Sequence, residues 1–193
     1  MIYRVLFYLI LFCSFGSEAQ KNDLFEIENN ELIWRNTYAY AGSLDSLRSE
    51  VVSLLKSKVF TRHVTRIEIA YGSMGYTGEI EHYQVDCERY GRKYSNTPLI
   101  YWSGEWKGKF VIEVRDNKYQ VTIYGLYFEN QATKNSPPHQ TKTTRKGFYS
   151  KEVWEKGHAT FKPNVLRDMT LMSISLRDAF DITKYNSPLK PWR

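Results

Sequence analysis

The sequence is poor in cysteine, with only Cys13 and Cys87 among its 193 residues. If the N-terminal segment described below is removed, only Cys87 remains. No disulfide can then form within the chain, so a packed core must supply its stability. Cys87 lies in an alternating segment beside Tyr83 and Val85, which indicates a small buried residue rather than a reactive thiol.

Metal-binding and nucleotide-binding motifs are also lacking. None of the four histidines (His63, His82, His139 and His158) has the HExxH spacing or another paired metal-ligand spacing. The glycine-rich residues 72–78 lack the Lys-Ser/Thr ending of a phosphate loop, and we expect a hairpin turn there. The sequence therefore predicts neither a metal site nor a cofactor.

The sequence has no apolar run of the roughly 20 residues that a membrane-spanning helix needs. The apolar residues 5–13 follow Arg4 and precede Ser17, Glu18 and Ala19, which places small residues before a cut after Ala19. This pattern predicts a secretory signal over residues 1–19, and therefore a periplasmic or extracellular protein. The alternatives are an uncleaved membrane anchor and a lipid anchor at Cys13, which Phe12 disfavours because a small residue normally precedes a lipidated cysteine.

The formal net charge is +6, and the positive residues are spread along the chain rather than gathered in blocks. Outside the cell this balance favours solubility, or attraction to anionic envelope surfaces, over nucleic-acid binding. We therefore expect no nucleic-acid partner. The expected partner is an envelope protein or a glycan, and the only expected route to a membrane is a lipid anchor at Cys13.

Periodicity predicts two helices and several strands. Apolar residues recur at helical spacing over residues 43–58 and again over residues 164–180. Alternating residues predict strands at 31–40, 64–71, 79–90 and 99–106, and a hairpin whose arms are 109–114 and 119–128. The hairpin turn contains Asp116 and Asn117, which both tolerate a positive φ.

These elements predict one α+β domain over residues 31–181, with a mainly antiparallel sheet and two helices packed on one of its faces. Residues 20–30 are expected to be a flexible N-terminal segment, and residues 182–193 an extended tail. Residues 130–147 are rich in polar residues and proline, and we expect them to form an insertion within the domain.

The segment KFVIEVRDNKYQVTIYGLYFE (residues 109–129), preceded by a strand and an amphipathic helix and followed by a late helix, resembles a known family. This is a bacterial family of exported domains of unknown function, common in Bacteroidetes, with a TATA-binding-protein-like (TBP-like) fold. The resemblance spans residues 31–180 and implies a fold. It implies no catalytic residues and no DNA binding, because function depends on a site rather than on a fold.

Two groups of residues have the types found in catalytic sites. In a strand, His82 and Asp86 lie on one face and Cys87 on the other, so a Cys–His nucleophile pair is disfavoured. Glu79 and Glu81, with Glu68, offer the paired carboxylates of a glycosidase, but alternating charge on a solvent-facing strand gives the same pattern. We therefore assign no catalytic residue.

Tyr101, Trp102 and Trp106 are the candidate ligand-binding residues, as a platform on which sugars or peptides stack; burial in the core is the competing interpretation. The sequence thus favours an exported, non-catalytic binding domain whose contact surface is an open sheet face rich in tyrosine and tryptophan. The alternatives are an envelope hydrolase that acts on a glycan or peptide, and a membrane-tethered lipoprotein with a structural role.

Overall fold

A computed structural model describes residues 25–29, 31–57, 60, 64–70, 75–130, 145–155 and 160–185. Short 3₁₀ turns lie at Tyr94–Asn96 and Pro163–Val165. The helices in this part of the chain are α1 (Leu44–Lys56), α2 (Leu99–Trp102), α3 (Tyr149–Val153), α4 (Leu166–Ala179) and α5 (Ile182–Tyr185). The strands are β1 (Phe25–Glu28), β2 (Glu31–Ala39), β3 (Val64–Ala70), β4 (Gly75–Tyr83), β5 (Gly104–Arg115), β6 (Lys118–Asn130), β7 (Arg145–Phe148), β8 (Trp154–Glu155) and β9 (Thr160–Phe161).

Seven of these strands form one antiparallel sheet in the order β1-β2-β6-β5-β4-β3, with β7 paired to β6. Two strands pair with the same edge of β6, one after the other along its length. β2 pairs with its first half, where Trp34 faces Ile123, and β7 pairs with its second half, where Phe148 faces Tyr127. The edge between these two pairings is where the candidate site lies.

One face of the sheet carries the core, under the helices. Along β5 the buried side chains are those of alternate residues, including Trp106, Phe110 and Ile112, as the period of a strand requires. They form one cluster with the buried side chains of α1 and α4. The predicted α+β class, with a mainly antiparallel sheet and two helices on one face, is confirmed.

Helix α1 follows its sequence signals closely. Ser43 caps its N-terminus, because the Ser43 hydroxyl accepts a hydrogen bond from the Ser46 amide at 3.2 Å. Asp45 in the first turn and Lys56 in the last complement the helix dipole. The residues that face the core are Leu47, Val51, Leu54 and Leu55.

Side-chain hydrogen bonds fix α4 and its C-terminal end to the sheet. Trp34 Nε1 donates to Ser173 Oγ at 3.0 Å, and the Tyr38 hydroxyl donates to the Arg177 carbonyl at 2.8 Å. The Tyr119 hydroxyl donates to the Phe180 carbonyl at 2.8 Å. These bonds satisfy polar atoms that would otherwise be costly to bury.

The folded unit is wider than residues 31–181. Phe25 and Ile27 alternate with Glu26 and Glu28, so β1 adds an edge strand whose Phe25 side chain is buried. Part of the predicted N-terminal flexible segment is therefore ordered. Part of the predicted tail is helical, since Ile182–Tyr185 form α5 and Ile182 is buried.

Three further boundaries differ from the sequence prediction. Residues 99–106 are not one strand, because Pro98 precedes the short helix α2 and β5 begins only at Gly104. The predicted strand 79–90 ends at Tyr83. Gly75 and Gly78 belong to β4 rather than to a turn.

Several predicted features lie outside the described residues: the signal segment 1–19, Cys13, most of the 130–147 insertion and residues 186–193. Of that insertion, Asn130 ends β6 and residues 145–147 form most of β7 (Arg145–Phe148). In the part of the chain that the structure describes, no helix has the length and apolar character to cross a membrane.

Candidate binding site on the open sheet face

The structure places Tyr101 and Trp106 in the core, with exposed fractions of 2% and 0%. The Tyr101 hydroxyl bonds to the Tyr149 hydroxyl at 2.7 Å, and the Trp106 ring meets the Tyr149 ring edge-to-face at 5.1 Å. Both side chains lie on the helix-covered side of the sheet, because Trp106 shares the inward face of β5 with Phe110. Neither ring is exposed for stacking, which favours the competing interpretation that Tyr101 and Trp106 belong to the core.

Trp102, the third predicted residue, is half-buried. Its ring meets the Tyr94 ring edge-to-face at 5.5 Å. Tyr94, in the 3₁₀ turn, is 62% exposed, and Leu99, the first residue of α2, is 49% exposed. Of the three predicted residues, only Trp102 is therefore partly exposed, and its ring contacts the exposed ring of Tyr94.

The sheet face away from the helices, here called the open face, carries the other set of alternate side chains. In β5 these include Lys107, Lys109 and Val111, and in β6 they include Tyr124 and Tyr127. All five are half-buried or exposed. The open face therefore has partly exposed tyrosines, as the sequence suggested, but charged residues lie among them.

Two β-bulges meet beside Lys107 and Gly108 of β5. In β4 the register shifts between Ile80 and Tyr83, so that Glu81 and His82 together face Lys107. His82 accommodates the bulge with a φ of 55°. Bulges bend a strand and redirect side chains, and they are enriched next to functional sites.

The second bulge is in β6. Its register shifts between Tyr124, which faces Lys109, and Tyr127, which faces Lys107. Gly125 lies in this bulge with a φ of 64°, a conformation that favours glycine. The ideal position of a Cβ atom on Gly125 is 3.8 Å from Glu31 Oε1, so the Glu31 side chain lies beside the bulge.

A pocket of about 440 Å³ lies at this point of the open face. It is bordered by the start of β2, the end of β7 and the bulged parts of β4 and β6. Its volume falls within the usual range for small-molecule sites. The residues that line this open-face pocket are Glu31, Glu79, Ile80, Glu81, Lys107, Gly108, Lys109, Tyr124, Gly125 and Phe148.

The side chains of the pocket form two rows across the strands. In the first row Glu79 of β4 faces Lys109 of β5, which faces Tyr124 of β6. In the second row Glu81, which shares the β4 bulge with His82, lies opposite Lys107. Lys107 faces Tyr127, and Tyr127 faces Phe148 of β7. The Tyr127 and Phe148 rings meet edge-to-face at 5.5 Å.

The pocket combines hydrogen-bond acceptors and donors. Glu31, Glu79 and Glu81 supply carboxylates, and Lys107 and Lys109 supply ammonium groups. Lys107 Nζ lies 3.7 Å from Glu129 Oε2. In the described residues no group of three or more His, Cys, Asp or Glu side chains has an arrangement that could hold a metal ion.

The structure does not bring His82 and Cys87 together. His82 is exposed, with its Nδ1 2.9 Å from Glu105 Oε2. Cys87 is buried, its Sγ donates to the Tyr101 carbonyl at 3.4 Å, and desolvation raises the pKa of its thiol to about 11. The interpretation of Cys87 as a small buried residue is confirmed. The side chain of Glu68 and the residues His63, His139 and His158 lie outside what the structure describes.

Most of the pocket was not predicted. Sequence reasoning singled out Glu79 and Glu81, but it did not connect them with Glu31, Lys107, Lys109, Tyr124 or Phe148. The available indication was a glycine in each strand of the hairpin, Gly108 and Gly125, since glycine inside a strand often marks a bulge or a close approach.

Two solved structures resemble this α+β architecture. One is a TBP-like protein from Parabacteroides distasonis, 10% identical, with a TM-score of 0.46 over 83% of this chain and 96% of that one. The other is a DUF4468 family protein from Bacteroides ovatus, 10% identical, with a TM-score of 0.48 over 85% and 92%. No protein-family model and no curated protein matches the chain.

These neighbours are the kind of protein that the sequence pattern resembled: a TBP-like fold and a domain of unknown function from Bacteroidetes. At this identity they transfer no residue role to the chain. The pocket itself is therefore the basis for a function.

Proposed function

We propose that the chain is an exported cell-envelope protein that binds a glycan in the open-face pocket without changing it chemically. One observation supports this most strongly. On the sheet face away from the helices, the pocket brings carboxylates, ammonium groups and aromatic rings to the same place. Ligand sites typically combine apolar or aromatic walls with a few polar groups that orient the ligand.

The chemistry of the lining selects the ligand class. An anionic ligand would meet three carboxylates and only two ammonium groups. A wholly apolar ligand would desolvate those charges without replacing their hydrogen bonds with water. A sugar ring avoids both costs, because its hydroxyls donate to glutamate and accept from lysine while its C–H face packs on Tyr124 or Phe148.

The non-catalytic part of the proposal rests on the position of Glu79. It lies directly opposite Lys109. An opposite-charge pair across two strands stabilises a sheet surface without any catalytic role. The export part rests on the predicted signal over residues 1–19 and is tested separately, by N-terminal sequencing and mass spectrometry of the protein from its native cells.

Co-sedimentation with insoluble envelope glycan, using purified peptidoglycan and chitin as probes, tests the binding proposal. We expect the protein to pellet with at least one probe, and Tyr124→Ala and Lys109→Ala to remain largely in the supernatant. Tyr94→Ala is the matched control, since Tyr94 is an exposed tyrosine away from the pocket, and we expect it to pellet normally. Pelleting of all four proteins alike, or of none, would contradict the proposal.

An envelope hydrolase is the second candidate, and one observation favours it. Glu79 and Glu81 of β4 line the pocket together with a third carboxylate, Glu31, which comes from β2 on the opposite edge of the β5–β6 hairpin. Inverting glycosidases use two carboxyl groups roughly 6.5–9.5 Å apart, and glutamates on one strand face two residues apart, about 7 Å between their Cα atoms, offer a pair of this kind.

Release of reducing ends from the same glycans separates the two candidates. The binding proposal expects no release above a protein-free blank. The hydrolase candidate expects release that Glu79→Gln or Glu81→Gln abolishes while binding persists. Glu113→Gln is the control, because Glu113 is an exposed residue further along β5 that does not line the pocket.

A further inference from the structure

We infer that the open-face pocket consists of two adjacent subsites, each for one sugar ring, so that it binds two consecutive rings of a glycan chain. This inference rests on the proposed glycan binding and extends it. It specifies how many sugar rings bind and how the glycan chain is oriented, neither of which follows from a site for a single ring.

The two cross-strand rows repeat the same chemistry. Each row begins with a glutamate in β4, continues with a lysine in β5 and ends at an aromatic ring. Tyr124 provides the ring in the first row, and Phe148, supported by Tyr127, provides it in the second. Each row therefore offers an acceptor, a donor and a stacking surface, the set that one sugar ring can use.

The β6 bulge keeps the second row aligned with the first. Without the β6 bulge, strict alternation would bring Leu126 rather than Tyr127 opposite Lys107. Leu126 is instead buried in the core. Gly125 absorbs the extra residue with its φ of 64°, so the sheet leaves regular geometry at the place where the second row needs an aromatic residue.

The distance between the two rows, and the absence of a side chain between them at Gly125, suit two neighbouring sugar rings. Lys107 and Lys109 are two residues apart on β5, which separates the rows by about 7 Å. On β6, Gly125 lies in the bulge between the aromatic residues of the two rows, and it has no side chain that would stand between two ligands. The chain of rings would then run parallel to β5, with each ring lying across the strands.

Titration calorimetry of the purified protein with N-acetylglucosamine, its dimer and its tetramer tests the inference. Two subsites predict that two monosaccharides bind per protein, that one dimer binds, and that the dimer binds about tenfold or more tightly than the monosaccharide. The tetramer should add little to the dimer. Glucose, cellobiose and cellotetraose form a second series that tests whether the effect depends on the sugar.

Single variants identify the subsites. Tyr124→Ala and Phe148→Ala should each reduce the monosaccharide stoichiometry from two to one and remove most of the advantage of the dimer. Tyr94→Ala should leave both values unchanged. Circular dichroism melting of each variant shows whether it is folded, and both pocket rings are partly exposed, so we expect folded protein.

The possible results separate this inference from the function on which it rests. One monosaccharide per protein with equal affinity for monomer and dimer would overturn the two subsites and leave glycan binding standing. Absence of binding by every member of both series, together with absence of pelleting by insoluble glycan, would overturn both. A dimer advantage that persists in both Tyr124→Ala and Phe148→Ala would place the subsites elsewhere and contradict the assignment.

Discussion

The two faces of the sheet are built from the same strands and differ in how their aromatic side chains are used. On the covered face the rings pack on one another, and some of their polar atoms bond to the helices or the residues that follow them, as Tyr119 does with the Phe180 carbonyl. On the open face Tyr124 and Phe148 stand among lysines and glutamates beside a pocket. The first arrangement stabilises the fold, and the second leaves ring surface and charge available to a ligand.

Burial also changes the acidity of the tyrosine hydroxyls on the covered face. Desolvation raises the pKa of Tyr119 and of Tyr83 well above the ordinary value for tyrosine, and both hydroxyls have partners within the core. Such a hydroxyl is neutral at any physiological pH and serves as a fixed hydrogen-bonding group. The comparison therefore predicts large stability effects on one face and large binding effects on the other.

The largest effect is expected from Trp106→Ala on the covered face. Trp106 is fully buried against Tyr149 and Phe128, so its removal should cost about 3–5 kcal/mol of unfolding free energy. Tyr124→Ala on the open face should cost about 1 kcal/mol or less. Urea unfolding of both variants measures the contrast. Equal losses of unfolding free energy would contradict the view that the covered face stabilises the fold while the open face serves binding.

The next effect isolates a single atom. Tyr119→Phe removes a hydroxyl that donates to the Phe180 carbonyl and accepts from the Ile182 amide at 3.1 Å. It leaves two buried backbone groups unsatisfied, and we expect a loss of about 1–3 kcal/mol. Tyr124→Phe on the open face is the matched change, and a loss there as large as that of Tyr119→Phe would contradict the comparison.

Gly125→Ala tests whether the bulge is built around glycine. An alanine at a φ of 64° should be strained by about 1–2 kcal/mol, although its Cβ would find space in the structure. Gly147→Ala in β7 is the control, since Gly147 has no positive φ and its nearest neighbour atom would be 3.9 Å away. The melting temperatures of the two variants should therefore differ. Identical melting curves would show that the positive φ at position 125 does not require glycine.

The smallest effect concerns an exposed ion pair on the open face. Arg35 Nη1 lies 2.6 Å from Glu26 Oε2 and 3.0 Å from Glu28 Oε1, and its hydrogen bond lowers the pKa of Glu28. Because the folded pKa is lowered, the pair's stabilisation is present above the ordinary pKa of glutamate and is lost as the pH falls through the lowered value. NMR titration should show the pKa of Glu28 rising toward its ordinary value in Arg35→Gln; an unchanged pKa would contradict the pairing.

Elements with a strong local pattern were predictable from the sequence. The helical spacing of Leu47, Val51 and Leu54 predicted α1, and the alternation on both sides of Asp116 and Asn117 predicted the β5–β6 hairpin. Asn117 has the positive φ, 61°, that its residue type suggested. In such segments the local preference and the tertiary packing agree.

The candidate site was not predictable in the same way. Alternation cannot say which face of a strand the helices will cover, so the sequence could not show that Trp106 lies on the covered face. The pocket also depends on cross-strand register, which two bulges set, and residues distant in sequence such as Glu31 and Phe148 meet only in the folded sheet. Local propensity contains none of this information.

Chemical-shift mapping of the isotope-labelled protein during titration with the N-acetylglucosamine tetramer tests the central claim, that the open face is the binding surface. We expect the largest shifts at Lys107, Lys109, Tyr124 and Phe148, while the buried Trp106 and the exposed Tyr94 shift little. Shifts confined to the surface around Tyr94 and Trp102, or the absence of any shift at saturating glycan, would contradict it.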